Sequence, residues 1–100
     1  MGAPLSAPRY IARAPDAAAR LIGGELMIMS GRDSTLFSLN ATAAALWNAA
    51  DGTTSLERLV ERHICSEYDV AQDVALRDAE EMAVDLAGRG ILLVSDRPIP

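Results

Sequence analysis

Short apolar runs separated by glycine-containing turns mark the first forty residues. Residues 17–22 are followed by Gly23-Gly24, residues 26–29 by a turn that contains Gly31, and residues 35–39 complete the series. Side chains alternate along a strand and glycines permit tight turns, so this pattern predicts a three-stranded antiparallel meander. We expect strands only in these forty residues, apart from residues 91–94, which form either a brief final strand or an extended tail.

From Asn40 onward the apolar residues recur at intervals of three and four, which predicts helices. Asn40 or Thr42 is expected to cap the first helix, which ends at Asp51-Gly52. Thr54 or Ser55 is expected to cap the second helix. The apolar stripe of that helix consists of Leu56, Leu59, Val60 and Ile64.

The third helix is predicted over residues 71–89, with Gly90 as its C-cap. On a helical projection, a core stripe lies beside a second set of small apolar residues, which we call the shoulder. The core stripe consists of Ala75, Ala79, Met82 and Leu86, and the shoulder of Leu76, Ala83 and Ala87. The shoulder either forms the wall of a groove or packs against the sheet or the other helices.

These elements predict an α+β domain with a three-stranded antiparallel sheet followed by three helices, in a winged helix-turn-helix-like arrangement. A chain of 100 residues has room for one such domain. We expect residues 1–8 to be a disordered lead-in, residues 9–94 to form the domain and residues 95–100 to form a tail. Trp47 and the methionines Met27, Met29 and Met82 are expected in the core.

The charge of the chain argues against a nucleic-acid partner. Fourteen acidic residues against nine arginines give a net charge of −5. Nucleic-acid-binding proteins present a basic surface, whereas the predicted third helix carries five acidic residues. A winged-helix DNA-binding regulator is nevertheless the alternative reading of this order of elements. Because the sequence shows neither a signal peptide nor eighteen consecutive apolar residues, we expect a cytoplasmic protein with no membrane partner.

The chain contains one histidine, His63, and one cysteine, Cys65. Two residues apart on a helix, they point to different faces and cannot form a nucleophile–base pair. One cysteine and one histidine also cannot make a structural zinc site within the chain. We therefore expect Cys65 to be buried and structural and His63 to lie at the surface. We expect no catalytic residues, no metal site and no cofactor.

An ordered series of short motifs resembles the PqqD family. The series runs over most of residues 9–94. It consists of Leu39-Asn40, Leu46-Trp47, Asp51-Gly52, Tyr68-Asp69-Val70, Asp78, and Leu86 followed by Gly90-Ile91. Each motif is short, and the specificity lies in their order and spacing. Residues 39–43 are more similar to the broader PqqD-like group than to members dedicated to pyrroloquinoline quinone (PQQ) biosynthesis.

This resemblance implies a recognition element for ribosomally synthesised precursor peptides rather than an enzyme. In that family the leader segment of the precursor adds as an extended strand beside the third strand, in a groove whose other wall is the third helix. The peptide-binding residues implied here are Thr35, Leu36, Phe37 and Ser38 on the strand and Leu76, Glu80, Ala83, Val84 and Ala87 on the helix.

The resemblance also implies two partners, a precursor (leader) peptide and a modifying enzyme. The resemblance implies that this enzyme is a radical SAM protein, or a peptidase or cyclase of a lasso-peptide pathway. The residues themselves leave a further alternative open, because the edge formed by residues 35–39 lacks the charge or proline that protects exposed strands. Such an edge suits strand addition by a peptide, and a second copy of the chain in a homodimer would cover it equally well.

Overall fold

The computed structural model describes residues 9–32 and 35–99. The predicted lead-in, residues 1–8, lies outside the described residues, as does Pro100. The strands are β1 (Tyr10–Arg13), β2 (Ala18–Ile22), β3 (Glu25–Met29), β4 (Leu36–Leu39), β5 (Asp51–Ser55) and β6 (Leu92–Ser95). The helices are α1 (Ala41–Ala49), α2 (Leu56–Val60), which continues as a π-helical stretch over Glu61–Cys65, and α3 (Gln72–Gly88).

The three predicted strands form one antiparallel sheet in the order β2-β3-β4, which we call the meander sheet. A two-residue turn joins β2 to β3, and its glycines have φ values of 60° at Gly23 and 85° at Gly24. Positive φ at both positions matches the twist of a hairpin, and glycine adopts it without strain. Leu26, Ile28 and Leu39 are buried on the inner face of this sheet. The predicted three-stranded sheet followed by three helices is confirmed.

A second antiparallel sheet, in the order β5-β1-β6, brings together the first, a middle and the last strand of the described chain. We call it the terminal sheet. The expectation that strands lie only in the first forty residues is therefore wrong, and residues 91–94 belong largely to a strand. The sequence of β5, Asp51–Ser55, contains no large apolar residue. Pairing with β1, forty residues away, makes it a strand, and no local pattern signals such a pairing.

The N-caps of α1 and α2 and the burial of Trp47 agree with the sequence analysis. Asn40 caps α1 by accepting the Ala43 N–H at 2.8 Å, and Ser55 caps α2 by accepting the Arg58 N–H at 3.3 Å. Trp47 is buried in the core, where its Nε1 donates to the Ile91 carbonyl at 2.9 Å. This bond links α1 to Ile91, the residue before β6, and gives the indole N–H of Trp47 a hydrogen-bond partner.

Several packing expectations are corrected by the structure. Met29 is 40% exposed rather than in the core, because it lies on the outer face of the meander sheet. Met27 and Met82 are half-buried. Cys65 and His63 are likewise both half-buried, instead of one inside and one at the surface. The π-helical stretch that contains them widens the helix and changes the faces that a regular projection would assign.

Candidate functional site

The outer edge of β4 offers backbone groups for pairing. Ser30 N–H donates to the Thr35 carbonyl at 3.1 Å, and β4 continues in the register that pairs Leu36 with Met29 and Ser38 with Met27. Bonded and non-bonded pairs alternate in an antiparallel ladder. Leu36 and Ser38 therefore direct their N–H and C=O groups away from β3. Within residues 9–32 and 35–99 no strand pairs with this edge.

Helix α3 runs alongside β4 in the opposite direction. At one end, the Arg89 guanidinium lies 5.1 Å from the centre of the Phe37 ring. At the other end, Met82 and Asn40 line the same cavity. Three residues of a strand and seven residues of a helix both span about 10 Å. The two contacts are therefore the same distance apart along β4 and along α3. We call the space between them the β4–α3 groove.

The side of α3 that borders this groove is a single stripe at helical spacing. We call it the groove stripe. Asp78 and Met82 line the cavity, Arg89 lies over the Phe37 ring, and Asp85 is the ion-pair partner of Arg89. Residues at such intervals lie above one another on one face of a helix. The Arg89 Nε–Asp85 Oδ2 distance is 3.1 Å, and both side chains are exposed. The groove therefore combines an open backbone edge with a helix face that is partly charged and partly apolar.

A cavity of about 390 Å³ opens at the Asn40 end of the groove. Its lining is mainly apolar and comes from α1, the segment after α2 and the first half of α3. The lining residues are Asn40, Thr42, Ala43, Leu46, Ile64, Tyr68, Val70, Ala75, Asp78, Ala79 and Met82. A mostly apolar hollow of this size, with a few polar groups at its rim, can take a large side chain of a ligand.

At the opposite end of the groove, Arg32 joins the turn before β4 to the end of α3. Arg32 Nη2, in the turn before β4, donates to the Gly88 carbonyl at 2.9 Å, at the end of α3. Gly90 has φ 82°, and a Cβ there would lie 2.6 Å from Arg32 Nε. Glycine at this position therefore lets Arg32 approach the helix end, where a cation interacts favourably with the helix dipole. This contact links the turn before β4 to the end of α3.

Comparison with known proteins identifies the fold. Residues 25–92 match the family described as "Coenzyme PQQ synthesis protein D (PqqD)". The chain belongs to the PqqD family. The match covers β3, β4, all three helices and the start of β6, and therefore includes both walls of the groove.

Two solved structures share the fold of this PqqD-family chain. One, described as "TbiB1 in Complex with the TbiA(beta) Leader Peptide", has a TM-score of 0.72 and 23% identity, covering 81% of this chain and 93% of that chain. The other, "Lasso peptide synthetase B1 complexed with the leader peptide", has a TM-score of 0.70 and 24% identity, covering 83% and 96%. No curated protein matches the chain.

The structure brings together the strand half of the predicted site. Leu36, Phe37 and Ser38 form β4, and Thr35 precedes it. Leu36 is exposed on the outer face of the sheet, Phe37 is half-buried against Arg89, and Ser38 is exposed. These residues lie at the open edge, as strand addition requires.

The helix half of the predicted site lies on the other side of α3 from the groove stripe, with the core stripe between them. None of its five residues lines the cavity next to Asn40. Ala83 is 1% exposed and packs in the core, so its side chain cannot meet a peptide on this structure. Leu76, Glu80 and Ala87 are half-buried, and Val84 is exposed.

Sequence reasoning did not single out the groove stripe. The sequence analysis places Met82 in the core and gives Asp85 and Arg89 no part in the peptide site. The periodicity does place Asp78, Met82, Asp85 and Arg89 on one face, but it cannot tell which neighbour that face meets. The direction of α3 relative to β4 in the structure shows that this face meets the groove.

The described part of the chain, residues 9–32 and 35–99, contains no group of three histidine, cysteine, aspartate or glutamate residues that could hold a metal ion. It also contains no helix that is long and apolar enough to cross a membrane.

Proposed function

We propose that this PqqD-family chain binds the leader segment of a ribosomally synthesised precursor peptide and presents the precursor to a modifying enzyme. The leader adds as a strand to the outer edge of β4 and lies in the β4–α3 groove. The observation that carries this proposal is the open edge of β4 beside an apolar cavity. The two structures of similar fold, both described as complexes with a leader peptide, support it.

The free energy of leader binding requires both the open edge of β4 and the apolar cavity. Ordering about six leader residues costs roughly 6–12 kcal/mol of backbone entropy. Burying on the order of 400 Å² of apolar surface returns roughly 10 kcal/mol. Backbone pairing to Leu36 and Ser38 sets the register of the leader but does not by itself offset the ordering cost. An apolar side chain of the leader in the cavity next to Asn40 contributes the rest.

In this proposal the chain itself catalyses no reaction. Binding and presentation need a groove and a partner surface, and membership of the PqqD family supports a role without catalysis. The modifying enzyme would be a radical SAM protein or, as the lasso-peptide neighbours suggest, a lasso-peptide peptidase. The complex would form in the cytoplasm, where the precursor is translated.

The remaining helix residues of the sequence prediction keep a supporting part in this proposal. Ala83 lies on the buried face of α3 and packs in the core. Leu76, Glu80, Val84 and Ala87 would meet a leader only if it crossed α3 to the side away from β4. The groove stripe is therefore the wall that we expect the peptide to contact first.

The test uses prolines on the two edges of the meander sheet. Ser38→Pro removes an N–H that points out of the β4 edge, and Ala19→Pro removes the equivalent outward N–H on the β2 edge, since Arg20 and Met27 form the bonded pair there. Binding is measured by titrating the labelled protein with the leader of a small open reading frame encoded beside its gene. We expect Ser38→Pro to weaken binding about tenfold or more and Ala19→Pro to leave it unchanged.

The amide signals locate the peptide in the same experiment. Shifts at β4 and at the groove stripe are expected. Equal binding by Ser38→Pro and the wild type, with both folded, would contradict strand addition at β4. Light scattering on the free protein tests the homodimer, because a dimer that dissociates as leader is added would mean that a second copy covers this edge.

A further inference from the structure

Strand β2 forms the edge of the meander sheet opposite β4, and all five of its residues are exposed. Ala19 and Leu21 lie on the inner face, in register with the buried Ile28 and Leu26 of β3. Leu21 is nevertheless 70% exposed, more than any other large apolar residue among residues 9–32 and 35–99. The body of the domain therefore does not extend beneath β2, and both faces of this strand have room beside them.

The backbone of β2 is also open to pairing. Arg20 and Met27 form a bonded pair, and bonded and non-bonded pairs alternate along the ladder. The N–H and C=O groups of Ala19 and Leu21 therefore point out of the sheet edge. Residues 18–22 contain no proline and only one charged residue, Arg20, so this edge has little of the protection that free strands usually carry.

A second copy of the chain fits this edge in an antiparallel register about a two-fold axis. The residue on the axis pairs with itself, so its backbone groups must point outward. This condition excludes Arg20 and leaves Ala19 or Leu21. An axis at Ala19 sets Leu21 opposite the small Ala17, whereas an axis at Leu21 brings the exposed leucines of the two copies together. In the second case Leu26 of each copy continues the same apolar row.

The register centred on Leu21 is complementary in charge on the outer face of the sheet. It sets Arg20 opposite Ile22 of the second copy, and Ile22 pairs with Glu25 within each copy. Arg20 and Glu25 are exposed, and in the described part of the chain neither side chain has an ion-pair partner. Two strand spacings, about 10 Å, separate them across Ile22, and their extended side chains bridge that distance. By symmetry the ion pair forms twice.

The contact area limits the strength of this association. Each partner of a stable complex buries about 800 Å², and an edge of five residues offers less. Backbone pairing supplies part of the affinity, as it does wherever a strand is added to a sheet. The expected dimer is therefore transient and depends on the protein concentration.

We propose that two copies of this chain pair through β2 into a transient dimer. Pairing joins two three-stranded meander sheets into one sheet of six strands, in the order β4-β3-β2-β2-β3-β4. The β4 edges lie at the two ends of that sheet, so each copy keeps its β4–α3 groove open. This inference goes beyond the proposed function and does not depend on it, because leader binding and dimerisation use opposite edges.

The experiment is sedimentation velocity of the full chain from about 10 µM to about 1 mM, a range that detects weak association. We expect the wild type to dimerise as its concentration rises. Arg20→Glu faces Glu25 with a like charge and is expected to weaken the dimer about tenfold or more, and so is Glu25→Arg. The variant with both changes restores the ion pair and with it the dimer. Arg62→Glu, the same charge change at an exposed residue remote in sequence from β2, is the control and is expected to have no effect.

Each outcome supports or overturns the pairing through β2. A wild type that stays monomeric up to about 1 mM contradicts it. So does a dimer that Arg20→Glu leaves intact, or one that the double variant fails to restore. Saturating leader peptide is expected to leave the dimer unchanged, whereas dissociation by the leader would show that the copies pair through β4. If the leader does not bind at all, the proposed function fails while the variants still test this dimer.

Discussion

The two sheets of this chain have the same number of strands and the same antiparallel pairing, yet they differ in what covers them. In the terminal sheet, Ile11 and Leu92 are buried, and the Ile99 N–H donates at 2.7 Å to the Gly52 carbonyl on the edge of β5. In the meander sheet, all five residues of β2 are exposed and the outer edge of β4 is unpaired by any described strand. The terminal sheet closes the core, and the meander sheet extends from it.

In this small domain, the sheet that closes the core and the sheet that is open to a partner are therefore different parts of the molecule. A strand edge and an apolar face left open to water are hazards unless a partner covers them. In the terminal sheet, the backbone of Ile99 covers part of the β5 edge within the chain. The meander sheet keeps both an open edge and an apolar face, and only one of its faces contributes to the core.

The largest expected effect comes from the same substitution made in each sheet. Leu92→Ala removes a side chain that is 2% exposed in the terminal sheet, and we expect it to lower the free energy of unfolding by about 2–5 kcal/mol. Leu21→Ala, at a residue that is 70% exposed in the meander sheet, is expected to change it by less than about 0.5 kcal/mol. Urea unfolding of both variants measures the contrast, and equal losses would refute the division between the sheets.

An effect of intermediate size distinguishes the two sides of α3. Met82→Glu places a charge in the groove stripe, and Leu76→Glu places one on the shoulder, where both native side chains are half-buried. We expect Met82→Glu to weaken leader binding about tenfold, or about 1.4 kcal/mol, and Leu76→Glu to weaken it less. Calorimetric titration measures both. The reverse order would show that the shoulder predicted from the sequence is the wall of the groove.

The smallest expected effect concerns the edge of the terminal sheet. Hydrogen bonds from the Thr54 and Thr53 backbone N–H groups lower the pKa of Asp51 from 3.8 to about 2. A carboxyl whose pKa is lowered in the folded state stabilises it above the unfolded pKa, and this contribution is lost as the pH falls through about 2. We expect the stability difference between the wild type and Asp51→Asn to be small at pH 6, since Asp51 is exposed, and to vanish toward pH 2. Unfolding midpoints across this range measure it, and a gap that widens on acidification would contradict the assignment.

Elements with a strong local signal were predicted correctly from the sequence. The apolar runs at residues 26–29 and 35–39, the glycine turn at Gly23-Gly24 and the cap at Asn40 are all local signals, carried by near neighbours in the chain. The family resemblance, carried by motifs such as Leu46-Trp47 and Asp51-Gly52, was also confirmed. β1 and β5 were missed because each depends on a partner strand far away in sequence.

The candidate site divides in the same way. The family resemblance names residues 35–38, and the structure places them at the open edge of β4. The resemblance and the periodicity of α3 do not say which face of that helix meets β4, because this depends on how the two elements pack. The sequence by itself determined the meander, the helices and the family, since those depend on local spacing. Only the tertiary structure decided that Asp78, Met82, Asp85 and Arg89 border the groove and that Met29 faces solvent, because packing between distant elements sets the surroundings of each face.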